Sequence, residues 1–391
     1  MQHVYLHVPF CRSRCVYCDF YFELEKYGGL STFLEALHRE IIARYEVLSS
    51  PLAPLQTLYL GGGTPSLLSA SEVGDILKSI QTFQAFAPDA EMTFELNPDD
   101  CTSSIEDYLK AGINRFSVGV QSFQADELKK LSRRHSPEQA KNVIHQVAAL
   151  MGNQRSGMQA NISIDLMYGI PIQNLASWQD TVKQACELPI QHISMYGLQL
   201  EAGTALEMLV KKAPHLYPLP SDEAHVEWYE WAVTYLHQQG FQRYEASNFA
   251  KEGFESRHNL AYWQQKDVLA FGPSAHGVVH PWRYEVPADL QAYHQWQTLE
   301  DITHRSFVSE VERVENLLIF GLRLTQEGVS FCVLQEACPT QAIWEEVQSL
   351  LQKHLDAGYL ESTPRGVKLA SVWIPKMNNV LCDFIGLGQE D

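Results

Sequence analysis

Residues 5–18 read YLHVPFCRSRCVYC, a short apolar and aromatic run followed directly by three cysteines in CxxxCxxC spacing. The cysteines are Cys11, Cys15 and Cys18. Three thiolates on one tight loop can hold three irons of a [4Fe–4S] cube and leave the fourth iron open to a small-molecule ligand. The alternative is a zinc site, for which the nearby His3 or His7 would supply a fourth ligand. The stretch therefore predicts a strand that leads into a metal-binding loop.

The other five cysteines are scattered along the chain. In a reducing compartment a disulfide framework is not expected, so the cluster of three indicates metal or redox chemistry. The scattered cysteines fall outside every motif, and we expect them to be small buried hydrophobes. They are Cys101, Cys186, Cys332, Cys338 and Cys382.

The composition is that of a globular enzyme with an acidic surface. The 391 residues are 45% hydrophobic and 19% charged, and their number favours two or three domains. The net charge of −18 argues against a nucleic-acid binder and gives no polybasic anchor for lipid. No apolar run is long enough for a spanning helix, and the first residues do not resemble a signal peptide. A cytoplasmic location is expected.

Short β-rich runs alternate with helical patterns up to about residue 200. Strands are predicted at 4–8, 57–60, 92–96, 115–120, 162–167 and 192–200, and helices near 31–48, 71–84, 103–111, 124–131, 137–150 and 175–187. Strands that alternate with helices form parallel βα units, and a closed barrel needs eight of them. The six units predict an α/β fold, an open partial (βα)6 barrel with its active site at the carboxyl ends of the strands.

The pattern changes after residue 200 and predicts three domains. The barrel is assigned to residues 1–205, an extension to 206–305 and a C-terminal domain to 306–391. In the last, helices near 315–324 and 342–357 precede a β-like run, which predicts an α+β winged-helix-like shape. Because the chain is acidic, we interpret this domain as a scaffold or docking module rather than a DNA reader.

The cysteine stretch and the segments after the next strands together resemble the radical S-adenosylmethionine (SAM) superfamily. Those segments are GGGTPS at 61–66, FELNP at 94–98, GVQSF at 119–123, LSRRH at 131–135 and IDLMYG at 164–169. In that superfamily the open iron binds the amino and carboxylate groups of SAM, and one electron cleaves it to a 5′-deoxyadenosyl radical. Arg134 is an alternative to Arg133 within its motif. The resemblance implies SAM contacts from Tyr5, Tyr17, Gly62, Gly63, Thr64, Glu95, Gln121, Arg133, Asp165 and Leu198.

More narrowly, the chain resembles the coproporphyrinogen dehydrogenase-like group, and two features favour one branch of it. The oxidases of the group carry an extra N-terminal segment and a fourth cysteine two residues after the third, where this chain has Phe20. The sequence RHNLAYW at 257–263 contains HNxxYW, typical of the HemW heme chaperones. It offers an imidazole able to ligate iron, His258, and two rings suited to stacking on a flat macrocycle, Tyr262 and Trp263.

The resemblance implies a heme chaperone that binds heme and delivers it to an apo-hemoprotein, with a SAM-coordinating [4Fe–4S] cluster. Proteins of this kind are described as dimerising and as approaching membrane-bound acceptors, so a homodimer and peripheral membrane association are expected. Two alternatives stay open at this point. One is an oxygen-independent coproporphyrinogen III dehydrogenase, and the other is a different radical SAM enzyme acting on a tetrapyrrole.

Overall fold

The fold is built around six parallel strands that neighbour one another in chain order. The computed structural model describes residues 1–48, 51–99, 103–152 and 160–388. The strands are β1 (His3–Val8), β2 (Leu55–Gly62), β3 (Phe86–Leu96), β4 (Arg115–Gln121), β5 (Ile162–Tyr168) and β6 (His192–Gly197). All five pairings between them are parallel. The predicted partial (βα)6 barrel is confirmed, although β6 ends three residues earlier than expected.

The two faces of the barrel strands differ in chemistry, because successive side chains of a strand point to opposite faces. In β1, Leu6 and Val8 are fully buried in the hydrophobic core. The alternate positions face the barrel interior, where the register pairs His3 with Thr57 and a hydrogen bond of 3.0 Å joins His3 Nδ1 to Thr57 Oγ1. The interior is therefore polar, and polar side chains at the strand ends can form a site.

Six helices connect the barrel strands and pack on the outside of the sheet. Their apolar faces are buried; in α2, for example, Val73, Ile76 and Ile80 are fully covered. A capping box between Ser69 and Glu72 starts that helix. The helices are α1 (Leu30–Glu46), α2 (Ala70–Gln81), α3 (Ile105–Ala111), α4 (Ala125–Lys130), α5 (Pro137–Gly152) and α6 (Leu175–Cys186).

The middle of the chain extends the barrel sheet at both of its edges. Strand β7 (Asn248–Ala250) pairs antiparallel with β6, and β8 (Val268–Phe271) pairs parallel with β1. Three antiparallel strands continue from β8, and Gln242–Arg243 pairs with β7, which gives a sheet of twelve strands in the described ranges. The added elements are β9 (His276–Val279), β10 (Trp282–Glu285), β11 (His304–Phe307), α7 (Ala205–Lys212), α8 (Asp222–Gln238), α9 (Arg257–Trp263) and α10 (Leu290–Gln295).

The C-terminal segment forms a small α+β unit of winged-helix-like shape. Its helices are α11 (Glu310–Gly321), α12 (Phe331–Ala337), α13 (Gln341–Asp356) and α14 (Asn378–Leu381), and its strands are Val329–Ser330, Leu360–Ser362 and Gly366–Leu369. Gly366–Leu369 is the central strand of the antiparallel sheet. The sequence does not predict helix α12, of seven residues, or the strand Val329–Ser330, of two residues. Elements this short do not show a hydrophobic period. The division into three domains stays a prediction.

Shorter elements complete the described part. The 3-10 segments are Glu25–Tyr27, Pro65–Leu67, Leu299–Ile302, Ser371–Lys376 and Cys382–Phe384, and the two-residue strands Phe10–Cys11 and Glu23–Leu24 pair in parallel. In the described ranges, no helix is both long and apolar enough to cross a bilayer.

The expectation that the scattered cysteines are buried is wrong for two of them. Cys332 and Cys382 are exposed, while Cys186 and Cys338 are partly buried. Cys332 lies on the solvent side of α12, where its thiol contacts the Glu336 carboxylate at 3.3 Å, since that short helix buries only Leu334. Cys101 lies outside the described residues.

Candidate functional site

The cysteine loop lies at the carboxyl end of β1 and opens onto a large cavity. The parallel pair Phe10–Cys11 and Glu23–Leu24 closes the base of the loop. Cys11, Cys15 and Cys18 all line a cavity of about 700 Å³. The backbone N–H of Cys18 donates to the carbonyl of Cys15 at 3.3 Å, which tightens the turn between them. The loop therefore presents three thiols to one enclosed space.

Two side chains direct hydrogen-bond donors at these thiols. Thr64 Oγ1 lies 3.5 Å from Cys11 Sγ, and a terminal guanidinium nitrogen of Arg133 lies 3.5 Å from Cys15 Sγ. Burial raises the pKa of the Cys11 thiol to about 12, so a metal must displace the proton when it binds. Donors aimed at cysteine sulfurs are a feature of iron–sulfur sites, where they stabilise the thiolates and tune the cluster.

The structure argues against the zinc alternative. His7 uses both ring nitrogens, since Nε2 donates to the carbonyl of Tyr21 at 3.1 Å and Nδ1 accepts from the Tyr5 hydroxyl at 3.0 Å. His3 is held by Thr57 at the opposite end of the strand. Across the described ranges, no three His, Cys, Asp or Glu side chains converge on a single ion. The three cysteines line one cavity, and three thiolates are the protein ligands of a [4Fe–4S] cluster that leaves one iron open.

A glycine segment after β2 brings backbone close to the cysteine loop. A Cβ on Gly63 would lie 2.6 Å from the carbonyl oxygen of Phe10, the residue before the first cysteine. Gly62 has a φ of +115°, which only glycine adopts readily, and its N–H donates to Glu95 Oε2 at 3.2 Å. The glycines thus allow the wall of the cavity to pack against the loop.

Two partly buried carboxyl groups, Glu95 and Asp165, lie on the cavity wall. Glu95 accepts from the Tyr59 hydroxyl at 2.7 Å, and Asp165 accepts from Ser117 Oγ at 3.3 Å. Burial raises the pKa of Glu95 to about 7, and the neighbouring Asp165 adds to the shift. Burial likewise raises the pKa of Asp165 to about 6. Two carboxylates that repel each other in a desolvated wall favour a cationic ligand.

Arg133 connects the carboxylate wall to the cysteine loop. Besides Cys15, its guanidinium donates to Asn97 Oδ1 at 2.5 Å and to the Gly119 carbonyl at 2.8 Å. Arg134 also lines the cavity but forms an ion pair of 3.2 Å with Asp99. Arg133 is therefore the arginine of this motif that contacts a cysteine.

The structure brings together nine of the ten residues expected to contact SAM. Tyr5 is the exception, since its hydroxyl binds His7 and its ring lies below the cavity near Tyr59. Sequence reasoning missed several polar wall residues: Asn97, Ser117, Tyr196, Glu245, Asn248, Asn259 and Arg323. The nine that line the cavity are Tyr17, Gly62, Gly63, Thr64, Glu95, Gln121, Arg133, Asp165 and Leu198.

The HNxxYW segment forms α9, which begins below the cavity and ends at its wall. Ser256 caps the helix by accepting from the N–H of Asn259 at 3.2 Å. Glu91 accepts from the backbone N–H groups of Arg257 and His258 at 3.1 and 3.0 Å. A carboxylate at a helix N-terminus satisfies donors that have no partner within the helix. The start of α9 is therefore fixed to β3.

The three residues expected to contact heme have different environments. His258 is 1% exposed and does not line the cavity; its Nδ1 lies 2.8 Å from Thr57 Oγ1 and its ring stacks on Tyr59. Its Nε2 has no hydrogen-bond partner among the described residues. The Tyr262 ring packs edge-on against the imidazole. Of the three, Trp263 alone lines the cavity.

A partial parallel barrel with three cysteines after its first strand, and with polar residues at the ends of the other strands, defines a radical SAM protein. The sequence model of the Radical SAM superfamily matches residues 5–185. The chain is 34% identical to the heme chaperone HemW of Bacillus subtilis over 84% of its own length and 85% of that protein. It is 31% identical to the heme chaperone HemW of Lactococcus lactis over 97% of its own length and 96% of that protein.

The chain belongs to the HemW family of the radical SAM superfamily. Membership of the superfamily implies SAM and a [4Fe–4S] cluster. Among solved structures, the coproporphyrinogen III oxidase HemN of Escherichia coli, described as a radical SAM enzyme, matches with a TM-score of 0.80. That match has 21% identity and covers 98% of this chain and 89% of the other, so it supports the fold alone.

Proposed function

We propose that this protein is a heme chaperone, which binds heme and delivers it to apo-hemoproteins. One observation carries the proposal: Trp263 of the HNxxYW segment and the three cysteines line the same cavity. Relatives that align over nearly the whole chain are named heme chaperones. A cavity shared by a cluster loop and the characteristic segment of those relatives gives heme a place next to the metal centre.

In this proposal the cluster is held by Cys11, Cys15 and Cys18, with Thr64 and Arg133 donating to the sulfurs. When bound, the cluster would supply an open iron for the amino and carboxylate groups of SAM. The remaining wall residues would orient SAM, and Glu95 and Asp165 would attract its sulfonium charge. Support comes from the raised pKa values of these two carboxyls, because a bound cation would favour their ionised form.

Heme is the cargo, and His258 is its proposed iron ligand. Nε2 is the ring atom without a partner, while Nδ1 is held by Thr57. A second hydrogen bond that fixes the other ring nitrogen is the usual arrangement of metal-binding histidines. Because the ring is 1% exposed, ligation requires α9 to move away from β2. The Tyr262 ring, which packs edge-on against the imidazole, would then lie beside the macrocycle, and Trp263 would contact it from the cavity wall.

The chain departs from the oxidase pattern at Phe20. This side chain is 69% exposed and stands at the cavity, two residues beyond Cys18, where the oxidases carry a further cysteine. Dimer formation, contact with membranes and a cytoplasmic location complete the proposal. Light scattering and sedimentation with lipid vesicles test the first two.

Transfer of heme tests the proposed function. The protein is reconstituted anaerobically with iron and sulfide, loaded with heme, freed of excess heme and mixed with apomyoglobin as a recipient. We expect the recipient spectrum to appear faster than heme leaves the protein alone, which indicates contact-dependent delivery. A parallel incubation with coproporphyrinogen III, SAM and a reductant is expected to release no CO2. Release of CO2 without heme transfer would overturn the proposal in favour of the oxidase.

A further inference from the structure

One part of the cavity wall, apart from Trp263, has no role in the site described so far. It is formed by Glu245, Asn248, Trp263 and Arg323, which all line the cavity. Each has a buried polar atom without a hydrogen-bond partner in the described part of the chain: Glu245 Oε2, Asn248 Oδ1, Trp263 Nε1 and Arg323 Nε. Buried polar atoms are almost always satisfied in native proteins. Four such atoms on one wall indicate a ligand that supplies their partners.

The backbone around this wall is held in place by contacts between distant segments. Arg323 follows α11, and the next residue, Leu324, forms an antiparallel bridge with Glu245. Thr325 adds two hydrogen bonds to this contact between segments. Its N–H donates to the carbonyl of Tyr244 at 3.1 Å, and its hydroxyl donates to the carbonyl of Arg243 at 2.8 Å. The C-terminal segment thus places Arg323 in the barrel cavity at a fixed position.

Arg323 and Trp263 form a preorganised pair. The guanidinium carbon lies 4.6 Å from the centre of the indole ring. Phe320 also packs on that ring, with a centroid distance of 6.2 Å and an interplanar angle of 24°. Because two neighbours pack on the ring, its faces are largely taken, while its Nε1–H is buried and has no partner among the described residues. No ion pair and no hydrogen bond of the Arg323 side chain is found within the described ranges, although its backbone N–H donates to the carbonyl of Phe320 at 3.2 Å.

Glu245 lies near enough for the charge of Arg323 to affect it, yet burial still raises the pKa of this carboxyl. Its other oxygen accepts from Asn248 Nδ2 at 2.5 Å and from the N–H of Ser247 at 2.9 Å. An anion entering the wall would be repelled by Glu245 and attracted by Arg323. The arginine is therefore the residue that decides whether an anion binds.

We propose that Arg323 and Trp263 form a subsite for a carboxylate of the bound tetrapyrrole. A guanidinium and an adjacent indole N–H provide several donors on one side, the arrangement that recognises carboxylates with two parallel hydrogen bonds. Heme carries two propionate groups, and the subsite would hold one of them. The proposal rests on the proposed function, because it assumes that heme enters this cavity.

The test compares heme with heme dimethyl ester, whose propionates are blocked. Both are titrated into the reconstituted protein and followed by their Soret absorbance. The variants are Arg323→Gln, Arg323→Lys and the control Arg313→Gln, which removes an exposed arginine of α11 that does not line the cavity. Loss of a charge-assisted hydrogen bond to a carboxylate typically weakens binding by roughly tenfold or more.

We expect wild-type protein to bind heme at least roughly tenfold more tightly than the ester. Arg323→Gln should lose that preference and bind both compounds with the affinity that wild type has for the ester. Arg323→Lys should keep part of the preference, and Arg313→Gln should match wild type. Equal affinity of wild type for heme and ester overturns the subsite, without needing any variant to fold. The subsite is also overturned if Arg323→Gln loses affinity for heme and for the ester by the same factor. If wild type binds neither compound, the proposed function itself fails.

Discussion

Thr57 and His258 are joined by a hydrogen bond of 2.8 Å between Oγ1 and Nδ1 at the floor of the barrel. The same hydroxyl contacts His3 Nδ1 at 3.0 Å, so it bridges two imidazoles. Burial lowers the pKa of His3 to about 4 and that of His258 to about 3. Both rings are therefore neutral at physiological pH. A neutral imidazole with one nitrogen held and the other without a partner is the form that ligates iron.

The first prediction separates iron ligation by His258 from its structural role. His258→Ala is expected to lose the Soret spectrum of histidine-ligated heme. Thr57→Val removes the hydroxyl and keeps the shape. It should lower the free energy of unfolding by about 1–2 kcal/mol and weaken heme binding by roughly tenfold, while the spectrum of the heme that still binds stays that of histidine-ligated heme. Heme titrations and urea unfolding of both variants check this. If both lose heme in proportion to their loss of stability, His258 is a positioning residue.

The second prediction concerns the cluster ligands. Cys11→Ser, Cys15→Ser and Cys18→Ser should each lose the brown absorbance after anaerobic reconstitution, because a cluster held at three corners does not tolerate loss of one thiolate. Iron content per chain should fall in parallel. Cys332→Ser is the matched control, since this thiol is exposed on α12, and it should keep the full colour. Persistence of the absorbance in all three loop variants would refute the ligand assignment.

The third prediction is a pH dependence of SAM binding. The pKa of Glu95 is about 7 and that of Asp165 about 6, both raised by burial. As pH rises through this window both groups ionise, so affinity for a sulfonium cation should increase by roughly tenfold between pH 5.5 and 8. Equilibrium binding of SAM to the reconstituted protein measures it. A profile that is flat or falls with pH is inconsistent with attraction of SAM by these two carboxyls.

Glu95→Gln should change SAM binding and stability in opposite directions. A carboxyl whose pKa is higher in the folded chain binds more protons there than in the unfolded chain. It therefore lowers stability as pH rises from the carboxyl's pKa in the unfolded chain to its folded pKa of about 7. At pH 8 the variant should therefore have a free energy of unfolding higher than that of wild type by on the order of 1 kcal/mol, and it should bind SAM more weakly. Glu106→Gln, at an exposed site of α3, should leave SAM binding unchanged and lower stability by no more than about 0.5 kcal/mol through loss of its pair with Lys110. Parallel losses of stability and binding would show that Glu95 is a structural residue.

The fourth prediction compares two glycines. Gly63→Ala would place a Cβ 2.6 Å from the Phe10 carbonyl, so the cysteine loop must shift and cluster content should fall. Gly74→Ala lies within α2 with no atom within 4 Å of the added carbon, and should stabilise the protein by about 0.5–1 kcal/mol. Thermal unfolding and iron content measure both. Full cluster loading in Gly63→Ala would show that close packing of this segment is not required.

Local patterns in the sequence predict much of the barrel and of the metal loop. Short β-rich runs that alternate with helical segments predict all six parallel strands. This works because each strand lies between neighbours that follow it or precede it in the chain. Asn97 could also have been predicted to line the site. Side chains two residues apart in a strand point to the same face, so Asn97 follows the face of Glu95. The exposure of Cys332 could not, because cysteine is compatible with either side of a short helix.

The far wall of the cavity could not be predicted from local patterns. Glu245 and Arg323 meet only because an antiparallel bridge joins the extension to the chain after α11, and neither belongs to a motif. The HNxxYW segment was found, but its spacing does not show which member reaches the cavity. Asn259 and Trp263 do, while His258 is outside the cavity lining and is held by Thr57. Such placements depend on tertiary contacts between segments that are far apart in sequence.

The most direct test of the account is an anaerobic heme titration of the protein carrying its cluster. Because one cavity is lined by the cysteine loop and by Trp263, we predict saturable binding of about one heme per chain, and a change in the electron paramagnetic resonance of the reduced cluster when heme binds. Heme that does not saturate, or that binds without any effect on the cluster signal, would contradict the claim that both occupy this cavity.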